Sequence, residues 1–250
     1  MNRRRESWIA GFVLLFPLVA NAADLTISAA ASLKDAFAEI ATAYESVNAP
    51  DKVLLNFGAS GQLLQQIVQG APVDLFASAD EVTMDAAEKQ GLIVEGSRRD
   101  FARNRLVVIM PAASSLPWHR LTDLLRSDLQ RVAIGNPDSV PAGRYAKEVL
   151  QTARLWTDLQ PKLVTAQNVR QVLDYVTRDE VDAGFVYATD AIRAGNRVKV
   201  VESPATGSPV LYPLAVLKAS ANVEAATRFG AFVSGATGRY ILGKYGFEIP

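Results

Sequence analysis

Two short stretches place a hydroxyl among small residues where an apolar run gives way to a helical pattern: Ser32 in Leu25-Thr-Ile-Ser-Ala-Ala-Ala-Ser-Leu, and Ser60 in Phe57-Gly-Ala-Ser-Gly-Gln-Leu. A helix start carries about half a positive charge and several N–H groups with no carbonyl partner, so such a junction suits an anion. Each serine taken alone reads as a plain cap of its own helix, and Ser32 with Asp35 makes Ser-x-x-Asp, close to a capping box. Convergence of several junctions would turn caps into a binding site.

Three more junctions follow. Pro141 fits the first turn of a helix, and Ala142 with Gly143 leaves the neighbouring amides unobstructed. Asn168 reads as the cap of a helix opening at Val169, and Tyr187 ends the apolar run Ala183-Gly-Phe-Val-Tyr before Thr189-Asp190 opens another helix. Taken alone, Tyr187 reads as a core residue with a satisfied hydroxyl. Arg144 and Arg170, just past two junctions, read as solvated helix-surface residues that add only a long-range field. The junction positions themselves thus carry hydroxyls and backbone N–H groups without charge. That donor set suits a fully deprotonated oxyanion, which offers only acceptors. A partly protonated anion such as hydrogen phosphate would bring an O–H with no acceptor, at about 1 to 3 kcal/mol.

These junctions need elements to hold them. Leu25 to Ala29, Lys52 to Phe57 and Leu75 to Ala77 read as strands, separated by helical patterns over Leu33 to Glu45 and Gln62 to Gln69, with Asp80 capping a further helix. Leu33, Phe37, Ile40, Ala41 and Tyr44 recur at helical spacing and predict one buried stripe. The same alternation returns with strands at Leu106 to Met110, Val132 to Gly135, Ala183 to Tyr187 and Val198 to Val201. After a Pro- and Gly-rich loop at 203–209, Leu211 to Leu217 reads as one more strand, and Val223 to Tyr245 as helical. This is the rhythm of α/β units with mostly parallel sheets.

Arg3, Arg4 and Arg5, an apolar stretch from Trp8 to Val19, and Ala20-Asn-Ala22 read as an export signal over residues 1–22. Apolar runs are shorter than the roughly 20 residues that a spanning helix needs. Cysteine is absent, which excludes disulfides, thiolate metal sites and a lipidated cysteine. Removing the signal takes three Arg and one Glu from a balance of 26 Lys+Arg and 26 Asp+Glu, leaving a slightly acidic chain with no mark of a nucleic-acid surface. The expectation is an exported protein, free in a bacterial periplasm.

Enzymatic signals fall short. Gly58-Ala-Ser60-Gly61-Gln62 lacks the final glycine of a serine nucleophile elbow, and the single histidine, His119, sits in a turn-like segment, so a serine hydrolase using Ser60 is disfavoured. Gly238 to Tyr245 approximates a phosphate loop, but Tyr245 stands where Ser or Thr would hold magnesium. Neither a catalytic residue nor a resident cofactor is expected.

In combination, Ala29-Ala-Ala-Ser32-Leu, Phe57-Gly-Ala-Ser60, Asp74-Leu-Phe-Ala-Ser-Ala-Asp80, Val140-Pro-Ala-Gly-Arg-Tyr-Ala-Lys147-Glu, Asn168-Val-Arg170, Val186-Tyr187 and Tyr212-Pro-Leu-Ala-Val resemble the periplasmic molybdate-binding proteins of ABC importers. The likeness runs from about Asp24 to Phe247. One departure is Gly61, where some members carry serine. The resemblance implies a two-lobed class II solute-binding fold with two hinge crossings, residues 24–104 plus 211–250 forming one lobe and 105–210 the other. It implies that Ser32, Ser60, Ala142, Val169 and Tyr187 hold molybdate, and also tungstate, so that molybdenum enters only as the bound oxyanion. It further implies a monomer that delivers this ligand to a membrane permease. Sulfate or another tetrahedral oxyanion is the alternative cargo.

Overall fold

Alternate apolar stretches in the chain become strands so thoroughly covered that Leu25, Ile27 and Ala29 have no exposed surface. The computed structural model describes residues 23–250, and the expected export signal at 1–22 lies outside the described residues. The first part comprises β1 (Asp24–Ala30), α1 (Lys34–Val47), β2 (Lys52–Gly58), α2 (Ser60–Val68), β3 (Leu75–Ala77), α3 (Glu81–Lys89) and β4 (Arg99–Asn104). Next come β5 (Leu106–Pro111), β6 (Val132–Gly135), α4 (Pro141–Thr152), the short α5 (Trp156–Leu159), β7 (Leu163–Ala166), α6 (Val169–Thr177), β8 (Ala183–Tyr187), α7 (Ala188–Ala194) and β9 (Val198–Glu202). The chain ends with β10 (Val210–Val216), α8 (Val223–Ser234) and α9 (Ala236–Lys244).

The strands form two five-stranded sheets, ordered β2-β1-β3-β10-β4 and β7-β6-β8-β5-β9. In each sheet four strands run one way and one runs against them: β10 pairs antiparallel with β3 and β4, and β5 with β8 and β9. The chain passes from the first sheet to the second through Arg105 and returns over residues 203–209. Each reversed strand follows one of these passages. The fold is the expected two-lobed α/β arrangement.

Two strands, β4 and β7, go beyond the sequence reading, and both lie at sheet edges. An edge strand is covered on fewer sides, so its apolar signal is weak: β4 reads Arg-Asp-Phe-Ala-Arg-Asn and buries Phe101, Ala102 and Asn104. The helical stretch after Val223 is two helices rather than one. Gly235 takes an extended conformation between them and its N–H donates to the Phe232 carbonyl at 3.1 Å.

The predicted α1 stripe is buried as expected, with Phe37, Ile40 and Tyr44 fully covered. It packs into a run of aromatic rings. Tyr44 meets Phe229 edge-on at 5.1 Å, Phe37 meets Phe101 at 5.7 Å, and Phe101 meets Tyr212 at 6.4 Å. This line leads from the far side of the first lobe to the cleft.

At the far end of that line, buried Asp51 accepts hydrogen bonds from the Ala23 N–H at 3.2 Å, the Tyr44 hydroxyl at 3.0 Å and Arg228 at 3.1 Å. Burial pushes its carboxyl up, but the Tyr44, Arg228 and Ala23 hydrogen bonds outweigh this and hold it below the ordinary aspartate value. A depressed folded pKa means that the unfolded chain binds the proton more tightly. The stabilisation is therefore complete above the unfolded value of about 3.9 and is lost as pH falls through the lower folded value. Asp51→Asn should lower the unfolding free energy by about 1 to 3 kcal/mol at neutral pH in urea titrations, with the two proteins converging in acid. A difference that persists unchanged into strong acid would show that charge is not its source.

Candidate functional site

All five junctions meet. Each follows the C-terminal end of a parallel strand: Ser32 after β1, Ser60 after β2, Ala142 after β6, Val169 after β7, and Tyr187 as the last residue of β8. Helices leaving one edge of a parallel sheet aim their N-termini at the crevice beside it, and here two such edges face each other. Together with neighbours such as Ala79 and Asn168, these residues line one cavity of about 10 Å³, room for the centre of little more than one water-sized sphere. No charged side chain is in the lining. The five residues are at most 4% exposed, so the lobes are closed around the space.

Neither serine caps its helix, which corrects the plain-cap reading. Ser32 lies inside a 3-10 turn, Ala31–Leu33, while the cap position of α1 is Leu33 and makes no side-chain bond. Ser60 is the first helical residue of α2, one step past the cap position at Ala59. Their hydroxyls are used elsewhere. Ser32 Oγ lies 3.0 Å from the Tyr212 hydroxyl, and Ser60 Oγ accepts the Ala79 N–H at 3.0 Å. Asp80 and Asn168 do cap as expected, accepting from the amides of Thr83 and Gln171.

Ala142 and Val169 sit in the first turns of α4 and α6, where amides have no carbonyl of their own helix to bond. Pro141 occupies the expected first position. Gly143 is what lets α4 start so close to β6: a β-carbon there would lie 2.6 Å from the Gly135 carbonyl carbon. The Tyr187 hydroxyl is buried and donates weakly to the Ala79 carbonyl at 3.4 Å. Burial pushes its pKa well above that of a free phenol, so it stays a donor.

Arg144 and Arg170 are not the solvated surface residues that the sequence suggests. Their side chains are 26% and 16% exposed because each reaches across the cleft. Arg144 binds Asp80 Oδ2 through Nε at 2.8 Å and Nη2 at 2.7 Å, and also donates to Thr83 Oγ1. Arg170 lies 2.9 Å from Asp35, and its Nη2 donates to the Ser32 carbonyl at 3.0 Å. Arg193 adds a second contact to Asp35 at 2.8 Å.

Behind Arg170 lies Asp190, with a side chain fully covered, 2.8 Å from the Arg170 Nε as an ion pair. Its other oxygen accepts the Tyr187 N–H at 3.1 Å. Burial pushes the Asp190 carboxyl up, opposed by Arg170 and the Tyr187 amide. Asp190 thereby ties the start of α6 to the end of β8. Sequence spacing offers no sign of the Arg170 contact to Asp190, of the Arg144 contact to Asp80, or of the bonds that join Asn104 and Tyr212 to groups distant along the chain.

His119 is exposed in the turn before residue 121 and is absent from the cavity lining, so Ser60 has no general base there. Among the described residues no helix is long and apolar enough to cross a membrane, and no group of His, Cys, Asp and Glu could hold a metal ion.

Residues 25–248 match the family model for bacterial extracellular solute-binding proteins, and the chain belongs to that family. Members are binding components of transport, not enzymes. The Escherichia coli protein named molybdate-binding protein ModA is 39% identical over 264 aligned positions, covering 100% of both chains. The solved periplasmic molybdate-binding protein of Azotobacter vinelandii is 26% identical with a TM-score of 0.79, over 91% of this chain and 100% of that one. The sulfate-binding protein SubI of Mycobacterium tuberculosis has a TM-score of 0.78 at 19% identity, covering 91% and 87%, and shares the fold.

Gly61 accounts for one detail of the closure. Its N–H donates to the Ser139 carbonyl of the facing lobe at 3.0 Å, and a β-carbon would lie 2.7 Å from that oxygen and 2.9 Å from Ser139 Cα. Backbone faces backbone, so neither side can rotate away. Gly61→Ala should destabilise the closed form by about 1 to 3 kcal/mol, the usual cost of overpacking, and raise the radius of gyration in X-ray scattering. Identical scattering from both proteins would show that the contact yields without opening the lobes.

Proposed function

We propose that this protein captures molybdate, and with it tungstate, between its lobes in the periplasm and hands it to the membrane permease of an ABC importer. The observation that carries this reading is the convergence of Ser32, Ser60, Ala142, Val169 and Tyr187, from both sides of one cleft, on a cavity lined with donors and free of charged side chains. Both serines present hydroxyl and backbone groups, Ala142 and Val169 their N–H, and Tyr187 its phenol, which suits a small dianion with acceptors only. The names of the relatives support molybdate as the particular anion. Residues 24–104 with 211–250 act as one lobe and 105–210 as the other, bending at the two crossings. Full coordination needs both lobes, so ligand favours the closed form.

In calorimetric and thermal-shift titrations of the mature protein, molybdate at 1,000 times its dissociation constant should add about 4 kcal/mol of stability, with sulfate and phosphate far less effective. An absent response to molybdate, or an equal one to sulfate, would overturn the assignment. Ser32→Ala and Tyr187→Phe should each weaken molybdate binding by about 1.5 to 3 kcal/mol, the range for hydrogen bonds to a charged group. Unchanged affinity in both would remove these residues from the ligand set.

A further inference from the structure

The Ser32 hydroxyl belongs to a chain of hydrogen bonds whose direction can be worked out from its far end. The Arg105 N–H can only donate, and it donates to Asn104 Oδ1 at 2.9 Å. That contact decides which end of the Asn104 amide faces inward. Its Nδ2 then donates to Thr189 Oγ1 at 2.9 Å and to the Tyr212 hydroxyl at 3.3 Å. Tyr212 accepts from Asn104, so its one proton goes to the other group within reach, Ser32 Oγ at 3.0 Å. Ser32 is left accepting from behind, and its own proton turns to the cavity.

We infer that Asn104 and Tyr212, neither of which lines the cavity, are positioning residues that lock Ser32 as a hydrogen-bond donor and thereby make the site reject protonated oxyanions of the right shape. This rests on the oxyanion reading above and deepens it. Ser60 is locked in the same sense by a simpler device, since the Ala79 N–H that it accepts is also donor-only. With one lone pair of each filled from behind and its proton aimed at the anion, each serine meets the anion as a donor, and the O–H of a monohydrogen anion finds no lone pair turned toward it.

The lock is built to stay in place. The Tyr212 ring is fully buried and held edge-on by Phe247 at 5.3 Å, Tyr187 at 5.7 Å and Phe101 at 6.4 Å, which leaves the hydroxyl no room to swing out. Burial also pushes its pKa well above the ordinary phenol range, so the relayed proton is always present. Asn104 is the last residue of β4, beside the Arg105 passage, and Thr189 lies across it in the second lobe. Only the bond to Thr189 crosses between the lobes; the line from Asn104 through Tyr212 to Ser32 lies within the first.

The test compares wild type, Tyr212→Phe and Asn104→Ala by calorimetry with molybdate and by displacement with phosphate at mildly alkaline pH, where phosphate is the monohydrogen dianion. Without the Tyr212 hydroxyl behind it, the Ser32 hydroxyl is free to rotate and to turn a lone pair toward the phosphate O–H. The ratio of the phosphate to the molybdate dissociation constant should fall about tenfold or more in Tyr212→Phe. Asn104→Ala, which removes the donor that fixes the direction of the Tyr212 O–H, should move the ratio in the same direction and leaves the aromatic packing intact should Tyr212→Phe fail to fold. Loss of affinity for both anions by one common factor in both variants would reduce these residues to structural support and overturn the lock. Wild type that ignores molybdate would overturn the oxyanion reading itself, a different result from an unchanged ratio.

Discussion

Helix starts facing one another across a narrow gap are the constraint on which the rest of this structure depends. The Ala142 and Val169 amides, in the first turns of α4 and α6, have no carbonyl of their own helix to bond, and their residues line one small space with the two serine junctions. Such ends carry like partial charges and do not attract each other. Something else must hold the lobes together. Arg144 to Asp80 on one flank and Arg170 to Asp35 on the other do so, with the Gly61 to Ser139 backbone contact between the lobes as a third tie. The cationic side chains are kept out of the cavity itself, so charge secures the lobes while neutral groups line the space between them.

Much of this layout was legible in the residues. Strand runs such as Val132 to Gly135 and Ala183 to Tyr187 are apolar throughout, because strands central to a covered sheet have no wet face, and their apolar limits coincide with the strand limits. The edge strands β4 and β7 escaped for the opposite reason. Junction chemistry was visible where it is local: Pro141 at a first helical position and Asn168 as a cap depend on neighbours a few residues away. Bonds spanning the fold leave no local trace. Ser32 and Tyr212 are 180 positions apart, and Arg144 looked solvated because its partner Asp80 precedes it by 64. The cap readings of Ser32 and Ser60 failed by one or two positions of backbone, a displacement that spacing cannot resolve.

The aromatic line from Tyr44 through Phe229, Phe37 and Phe101 to Tyr212 joins the two kinds of information. Periodicity placed Phe37 and Tyr44 on the buried face of α1, yet nothing in that pattern says that the stack ends on a hydroxyl touching Ser32. Close-packed rings have few alternative arrangements, so the core supplies the site with a fixed reference point.

The arginine ties at the rim bear on access to the cavity. The space between the lobes is bounded by groups at most 4% exposed, with the arginine ties on its flanks. Opening that space requires Arg144 and Arg170 to let go of the opposite lobe. The charged pairs of this clasp differ in exposure, from the well-covered Asp80 to the more open Arg193. Asp35, 30% exposed and shared by Arg170 and Arg193, is where a charge added from outside meets the clasp without entering the cavity.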